Sequence, residues 1–260
     1  NPEYTINSCA TSRCFFGQFN FESEIMQDQN IRKAIEMGID KEGFCSVIME
    51  GRGLPAKAAF PDSFSYGNEA VETVSYDPEG AKKLLEESGW KDTDGDGYAD
   101  KDGQKLTIDW LTYPTRLEQP KLAEYAQATL KEIGIDVVVN NTSDHMTYAA
   151  DGDFDVYVSS TTTAPTGDPE YFFTSTVVGP KNYGKYENKE VTALTEKLHQ
   201  AFEPEERAKL ATELQQKILD DDGFFFVSHL NMGIVTKSNV KGMAAHPCDY
   251  YEITADLDVE

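Results

Sequence analysis

Residues 76–113 constrain this chain more than any other stretch. They run YDPEGAKKLLEESGW, then KDTDGDGYADKDG, then QKLTIDWLTY. Asp77 can accept hydrogen bonds from the free N–H groups of a first helical turn, and Pro78 fits the first helical position because its missing N–H costs nothing there. Ala81, Leu84, Leu85 and Ser88 then share a helical face. Gly89 is placed for a left-handed stop, and Trp90 is a large anchor for the core. Residues 106–110 alternate Leu, Thr, Ile, Asp, Trp, the period of a half-buried strand.

The joining loop invites two readings. Asp92, Asp94, Asp96, Gly97 and Asp100 fall at positions 1, 3, 5, 6 and 9 of a calcium loop, but position 12 is Gly103 in place of the bidentate Glu, with Asp102 one residue early. The alternative is a tight polar turn made of Asp and Gly because those residues tolerate left-handed backbone. An ion here would staple a loop rather than do chemistry.

A chain of 260 residues can bury a good core as one large or two small domains. Its 46 acidic and 23 basic residues leave a net charge of −23, which repels phosphates and argues against nucleic acid as a partner. The acids are spread along the chain rather than blocked, the pattern of a solvated surface. No window approaches the ~18 apolar residues of a membrane span, and no signal peptide is visible. The chain starts at Asn1 rather than Met, so it is expected to be processed or cut from something longer. Cys9 and Cys14 are close enough in sequence for a local disulfide, whereas Cys45 sits inside a predicted helix as a small buried hydrophobe.

Along the chain, Phe15, Phe16, Phe19 and Phe21 predict a buried strand. Asp28 caps IRKAIEMGI, and Asp40 caps KEGFCSVIMEG, which Gly51 ends. Residues 52–75 are loop-like. Residues 116–133 form the longest helical pattern, with Leu117, Lys121, Tyr125, Leu130 and Ile133 near one stripe and Gly134 closing it. Strands are predicted over 135–140 and 154–161, with a short helix or loop between them. Two helices follow over 190–202 and 204–219, then a strand over 224–237 broken at 229–233, then a loosely patterned tail. The order implies an α/β layer with helices on one sheet face.

Catalytic motifs are missing. His145, His199, His229 and His246 are isolated, and the chain has no HExxH, no GxSxG and no glycine-rich phosphate loop. Asp153 and Asp155 alternate about a predicted strand and should face opposite sides. Tyr113, Thr161, Thr162, Thr163 and Thr166 lie at the ends of two strands expected to be neighbours, where hydroxyls and an aromatic could line a cleft. The alternative is that threonine simply favours strands. Asp168 and Pro169 can open a helix by the cap logic of Asp77 and Pro78.

These phrases, in this order, resemble the peptide/nickel family (family 5 type) of extracytoplasmic solute-binding proteins of ABC importers, and specifically its second, C-terminal lobe. The resemblance rests on FNFESEIMQDQNIRKAIEMGIDKEGF, GRGLPAKAAFP, YDPEGAKKLL with its DxDGDG hairpin, GIDVVV, GDFDVYV, APTGDP, the NxxxYxNxEV phrase from Asn182 to Val191, and NVKG. It implies a mixed sheet flanked by helices, as one lobe of a two-lobed periplasmic-binding-protein-like receptor (type II, cluster C). Residues 1–27 would be a lead-in strand from the first lobe, 28–242 the lobe itself, and 243–260 a return segment toward the first lobe.

The resemblance further implies a receptor, not an enzyme, that closes by hinge motion on an oligopeptide or similar polar solute. Such a protein would be a monomer, periplasmic or lipid-anchored at the cell surface, and would deliver its solute to the permease subunits of an ABC importer. No cofactor would be required beyond possible Ca2+ at Asp92, Asp94, Asp96 and Asp100. Ligand groups would be Tyr113, Thr161, Thr162, Thr163, Thr166, Asp168 and Asn182. The APTGDP wording keeps a nickel chelate open as the solute, and the acidic loop alone keeps open a calcium-stapled interaction module. Three departures bear on this. Ala164, Pro165 and Thr166 stand where peptide binders carry an acidic residue, and Thr162 and Thr163 stand where the nickel binder has an aromatic. Lys181 and Asn182 stand in the region of its histidine.

Overall fold

The computed structural model describes residues 2–248 and 253–260. In chain order its elements are β1 (Tyr4–Phe19), α1 (Gln29–Gly38), α2 (Lys41–Gly43), β2 (Gly53–Pro55), α3 (Pro78–Glu87), β3 (Asp100–Lys101), β4 (Gln104–Lys105), β5 (Thr107–Thr112), α4 (Glu118–Glu132), β6 (Asp136–Asn141), α5 (His145–Asp151), β7 (Val156–Thr162), α6 (Glu170–Phe172), α7 (Lys189–Gln200), α8 (Pro204–Asp220), β8 (Phe224–Lys237), β9 (Val240–Lys241) and β10 (Asp258–Val259). Six strands form one mixed sheet in the order β2, β8, β1, β7, β5, β6. β5 runs parallel to β6 and β7, while β1 runs antiparallel to both β7 and β8.

The period of two along β1 distributes its aromatics to two cores. Phe15 and Phe19 join Ile108, Trp110, Val156, Val158 and Phe225 under α1, α3 and α4. Cys14 and Phe16 join Phe224 and Phe226 under α7, α8 and the 56–66 loop. Helices therefore cover both sheet faces, not the single face expected from the element order. Every strand that feeds both cores must be apolar on both sides, and FFFV at the start of β8 is the sequence trace of that demand. Gly17 is where the layers touch most closely. A Cβ there would lie 2.0 Å from the Phe225 ring, so the aromatic occupies the space a side chain would need. Burying each such Phe is worth roughly 1.5–3 kcal/mol, and Phe16 also packs edge-on against Phe172 at 5.4 Å.

Most of the local expectations hold. Asp28 accepts from Asn30 N, Asp40 from Gly43 N and Asp77 from Gly80 N, each capping the helix it was expected to cap. Gly89 ends α3 with φ +86°. The helix after Asp40 is shorter than its pattern, because α2 gives way after one turn to a π-helical turn, Phe44–Ile48. α4 starts at Glu118, and its buried face is Gln119, Leu122, Ala123, Ala126, Thr129 and Leu130. Leu117 is 79% exposed and Lys121 is also exposed, so the stripe drawn through them is rotated from the real one. β8 is continuous across 229–233, held by β1 along nearly its whole length. Cys9 and Cys14 stand five residues apart on the extended β1, roughly 15 Å along the strand. That exceeds disulfide reach, and Cys14, Cys45 and Cys248 are free thiols. Cys45 is buried, as expected. The expected tail lies partly outside the described residues. Of its described part, β10 pairs antiparallel with β9.

Arg32 was placed by the sequence only as one residue of a helix, yet it is 6% exposed. Its guanidinium donates to the carbonyls of Met26 (2.7 Å), Asp221 (2.9 Å) and Asp222 (2.9 Å), and its head lies 4.5 Å over the Phe21 ring. It thereby joins α1 to the end of α8.

Candidate functional site

β5 and β7 carry their C-terminal ends to the same edge of the sheet. The register pairs Trp110 with Val156 and Leu111 with Tyr157, so β7 continues past the end of β5 and its last residues have no β5 partner. Tyr113, just after β5, fills the step. Its hydroxyl oxygen accepts from Ser160 N at 3.3 Å and lies 3.5 Å from Ser160 Oγ. Its ring stacks on His145 with centroids 4.3 Å apart. Beyond it, Thr161 is half-buried opposite Cys14 and Thr162 is 8% exposed opposite Arg13. Thr166 is exposed at the outer turn. Tyr113, Thr161, Thr162 and Thr166 thus lie along one strand-end rim, in which Thr166 is exposed and Thr161 half-buried, while Tyr113 and Thr162 are each 8% exposed.

Three other expected ligand groups have their polar atoms committed within the lobe. Thr163 is fully buried. Its hydroxyl lies 2.7 Å from Ala59 O and 2.9 Å from Ser12 O, and its N–H donates to Ser12 O at 2.7 Å. That single side chain ties β1, the 56–60 segment and the end of β7 together, so it supports the rim from behind rather than lining it. Asn182 closes its own loop, with Nδ2 donating to Tyr186 O at 2.8 Å and Oδ1 accepting from Tyr186 N at 3.1 Å. Asp168 accepts from Glu170 N at 2.9 Å, so it does open the short α6, and it also receives a bidentate pair from Arg207 at 2.7 and 2.8 Å.

Residues that sequence reading passed over complete the support. Tyr66 donates its hydroxyl to Gly167 O at 2.6 Å, and Ser12 Oγ donates to Ala164 O at 3.3 Å. Arg207 holds Glu170 at 2.9 Å as well as Asp168. Burial pushes the Glu170 carboxyl up, but the hydrogen bonds from His199 and Arg207 outweigh it, so Glu170 titrates below its ordinary range. The hydrogen bonds that Arg207 donates to Asp168 in turn raise its own pKa. Beneath this layer, Asn68 Oδ1 accepts from Lys57 N (3.0 Å) and lies 3.3 Å from His229 Nε2. A carbonyl oxygen can only accept, so Nε2 carries the His229 proton. A helical arginine such as Arg207 or a loop tyrosine such as Tyr66 gives no local pattern that would have pointed here.

A concavity of about 690 Å3 opens elsewhere on the lobe, beside Asn20, Asp109, Tyr148 and Asp155. Asp153 and Asp155, expected on opposite faces of a strand, both line it, because β7 begins only at Val156. Burial, then the neighbouring Asp155, raises the Asp109 carboxyl.

The 92–100 loop lies apart from the rim. Asp92 accepts from Gly95 N (2.7 Å) and Gly97 N (3.0 Å), Asp94 from Asp96 N (3.0 Å), and Asp100 from Thr93 N (2.8 Å). One oxygen each of Asp92, Asp94 and Asp100 falls within 4.8 Å of the others, a spacing a hard cation could bridge. Asp96 does not join them, because it pairs with Lys105 at 2.9 Å.

Comparison with known proteins follows the same outline. The model of the bacterial extracellular solute-binding proteins, family 5 (middle), matches residues 1–184. The oligopeptide-binding protein AppA of Bacillus subtilis is 28% identical over 95% of this chain, which spans 47% of that protein. The solved structure of AppA in complex with a nonapeptide superposes with a TM-score of 0.80 at 25% identity, over 95% of this chain and 50% of AppA. That of the nickel ABC transporter protein from Bacillus halodurans superposes with a TM-score of 0.84 at 26% identity, over all of this chain and 55% of that one. The chain spans about half the length of the relatives it matches.

Proposed function

The chain belongs to the bacterial extracellular solute-binding proteins, family 5, and on that premise we propose that it forms one lobe of an importer receptor. The rim of Tyr113, Thr161, Thr162 and Thr166 faces an interlobe cleft and closes by hinge motion on an oligopeptide or a similar polar solute. The observation that carries this reading is the step at the end of β5. There β7 overshoots its neighbour and presents hydroxyls at the carboxyl ends of parallel strands, the position where open α/β sheets bind ligands. The receptor acts outside the cytoplasmic membrane and hands its solute to ABC permease subunits. Among the described residues no helix is long and apolar enough to cross a membrane.

A nickel chelate is the second reading. It is favoured by the likeness to the Bacillus halodurans nickel transporter protein and by His145, whose ring stacks on Tyr113 at the rim. In either case Ca2+ would be held by Asp92, Asp94 and Asp100 as a loop staple away from the solute. Residues 243–260 would return toward the other lobe, whereas the lead-in strand within residues 1–27 is β1, an interior strand of this lobe's own sheet.

The test is a thermal-shift panel on the full-length receptor with tri- to nonapeptides, nickel(II) with and without histidine, and calcium. A solute that binds the native state alone raises Tm by mass action. A peptide shift supports the first reading and a nickel–histidine shift the second. Silence from all solutes contradicts both.

A further inference from the structure

Arg207 holds two separate parts of the lobe at once. Its Nε donates to Asp168 Oδ2 at 2.8 Å, and its Nη2 donates to Asp168 Oδ1 at 2.7 Å and to Glu170 Oε2 at 2.9 Å. Its Nη1 donates to Leu198 O at 2.7 Å and Ala201 O at 2.6 Å. Those carbonyls belong to the end of α7, where a helix leaves acceptors without intrahelical partners. A guanidinium has five N–H donors, and these five bonds use all of them. The side chain is 15% exposed, so the fork is shielded from water while the Asp168 carboxylate, 40% exposed, reaches toward the surface.

We propose that Arg207 is the positioning residue of the solute rim. It locks residues 161–168 against the α7 and α8 hairpin, so that Thr161 and Thr166 meet the solute already ordered. This rests on the reading of that segment as the solute wall. Tyr66 and Ser12 hold the neighbouring Gly167 and Ala164, so losing Arg207 loosens the segment without releasing it. Lysine cannot replace it, because an ammonium is a point charge without the planar fork that serves two carboxylates and two carbonyls together.

The test uses the full-length receptor with Arg207→Lys, Arg207→Met and Lys217→Met. The last breaks the ion pair of Lys217 with Glu190, which joins the same two helices without touching the rim. Native-state hydrogen exchange at the Gly167 and Glu170 amides reads the order of the segment, and exchange within α7 reads the hairpin. Both Arg207 variants should speed Gly167 and Glu170 by about tenfold or more, with Lys217→Met leaving them unchanged. Unchanged exchange in the Arg207 variants, or an equal change in Lys217→Met, overturns the proposal. The same proteins are titrated with nickel(II)–histidine and with a nonapeptide. A loss of affinity of about fivefold or more, confined to the Arg207 variants, is the expected cost of lost preorganisation. Faster loop exchange with no effect on a solute that binds the wild type keeps the lock and removes the solute wall. The two ideas therefore fail separately.

Discussion

The 92–100 loop and the 161–168 segment are both short and polar, yet they are held in opposite ways. The first holds itself. Asp92, Asp94 and Asp100 accept from backbone N–H groups a few residues away, so its carboxylate bonds are local, and only near its end does Ala99 N reach Gly134 O. The second is held from a distance. Its partners are Ser12, Ala59, Tyr66 and Arg207, between 39 and 151 residues away in sequence for the bonds to Thr163 and Asp168. The acidic tip of such a loop is shaped by its own residues, whereas a segment held by three distant elements is shaped by the lobe around it. A wall that must meet a solute the same way each time gains from the second arrangement.

The comparison can be broken by acid. His229 is fully buried beneath the 56–60 segment that receives Thr163, and burial lowers its pKa from 6.5 to about 3, against a smaller opposing contact with the Ala58 backbone. Between those values the unfolded chain binds a proton that the folded one does not, so stability falls as pH falls from 6.5 and levels off below about 3. The slope is about 1.4 kcal/mol per pH unit, so folding stability should fall by about 2 kcal/mol from this group at pH 5. Urea unfolding of wild type and His229→Gln at pH 7 and pH 5 checks this, with the variant losing correspondingly less on acidification. The 92–100 loop should not respond in that range. Lys105 holds Asp96 below its ordinary 3.8, so that contribution persists above the carboxylate range and disappears only as pH falls through the lowered value.

Smaller effects sharpen the contrast. Arg207→Met should cost about 1–3 kcal/mol after allowing for the exposure of Asp168, because Ala201 O loses its guanidinium donor and Leu198 O, Asp168 and Glu170 each lose one of their partners. Thr163→Val keeps the shape, removes one buried hydroxyl, and should cost about 1–2 kcal/mol in the same urea experiment. Asp92→Ala, which releases two N–H groups to water in an exposed loop, should cost about 0.5 kcal/mol or less.

The same division explains what could be read in advance. Asp28, Asp40 and Asp77 announce their helices because a cap is a bond between residues two or three apart. The 106–110 alternation and the acidic loop are equally local. The place of Thr161 and Tyr113 at neighbouring strand ends followed from the order of the elements. The burial of Thr163, the commitment of Asn182 to Tyr186, and the roles of Tyr66, Arg207 and His229 did not, because each depends on which distant residue packs beside it. Helices on both faces were missed for a related reason. An apolar run such as residues 224–227 has no alternation to show that two cores claim it. Leu117 misled because it is the N-cap residue of α4, 79% exposed and outside the helix's buried face.

The most direct measurement is a calorimetric titration of the full-length receptor with the tightest solute found in the thermal-shift panel. It would compare wild type, Thr161→Ala with Thr166→Ala, and Asp92→Ala with Asp94→Ala. A solute wall at 161–168 predicts that the threonine variant loses about tenfold in affinity, near 1.4 kcal/mol, while the aspartate variant binds as wild type does. Unchanged binding by the threonine variant, or loss of binding in the aspartate variant alone, would place the solute elsewhere and contradict the account.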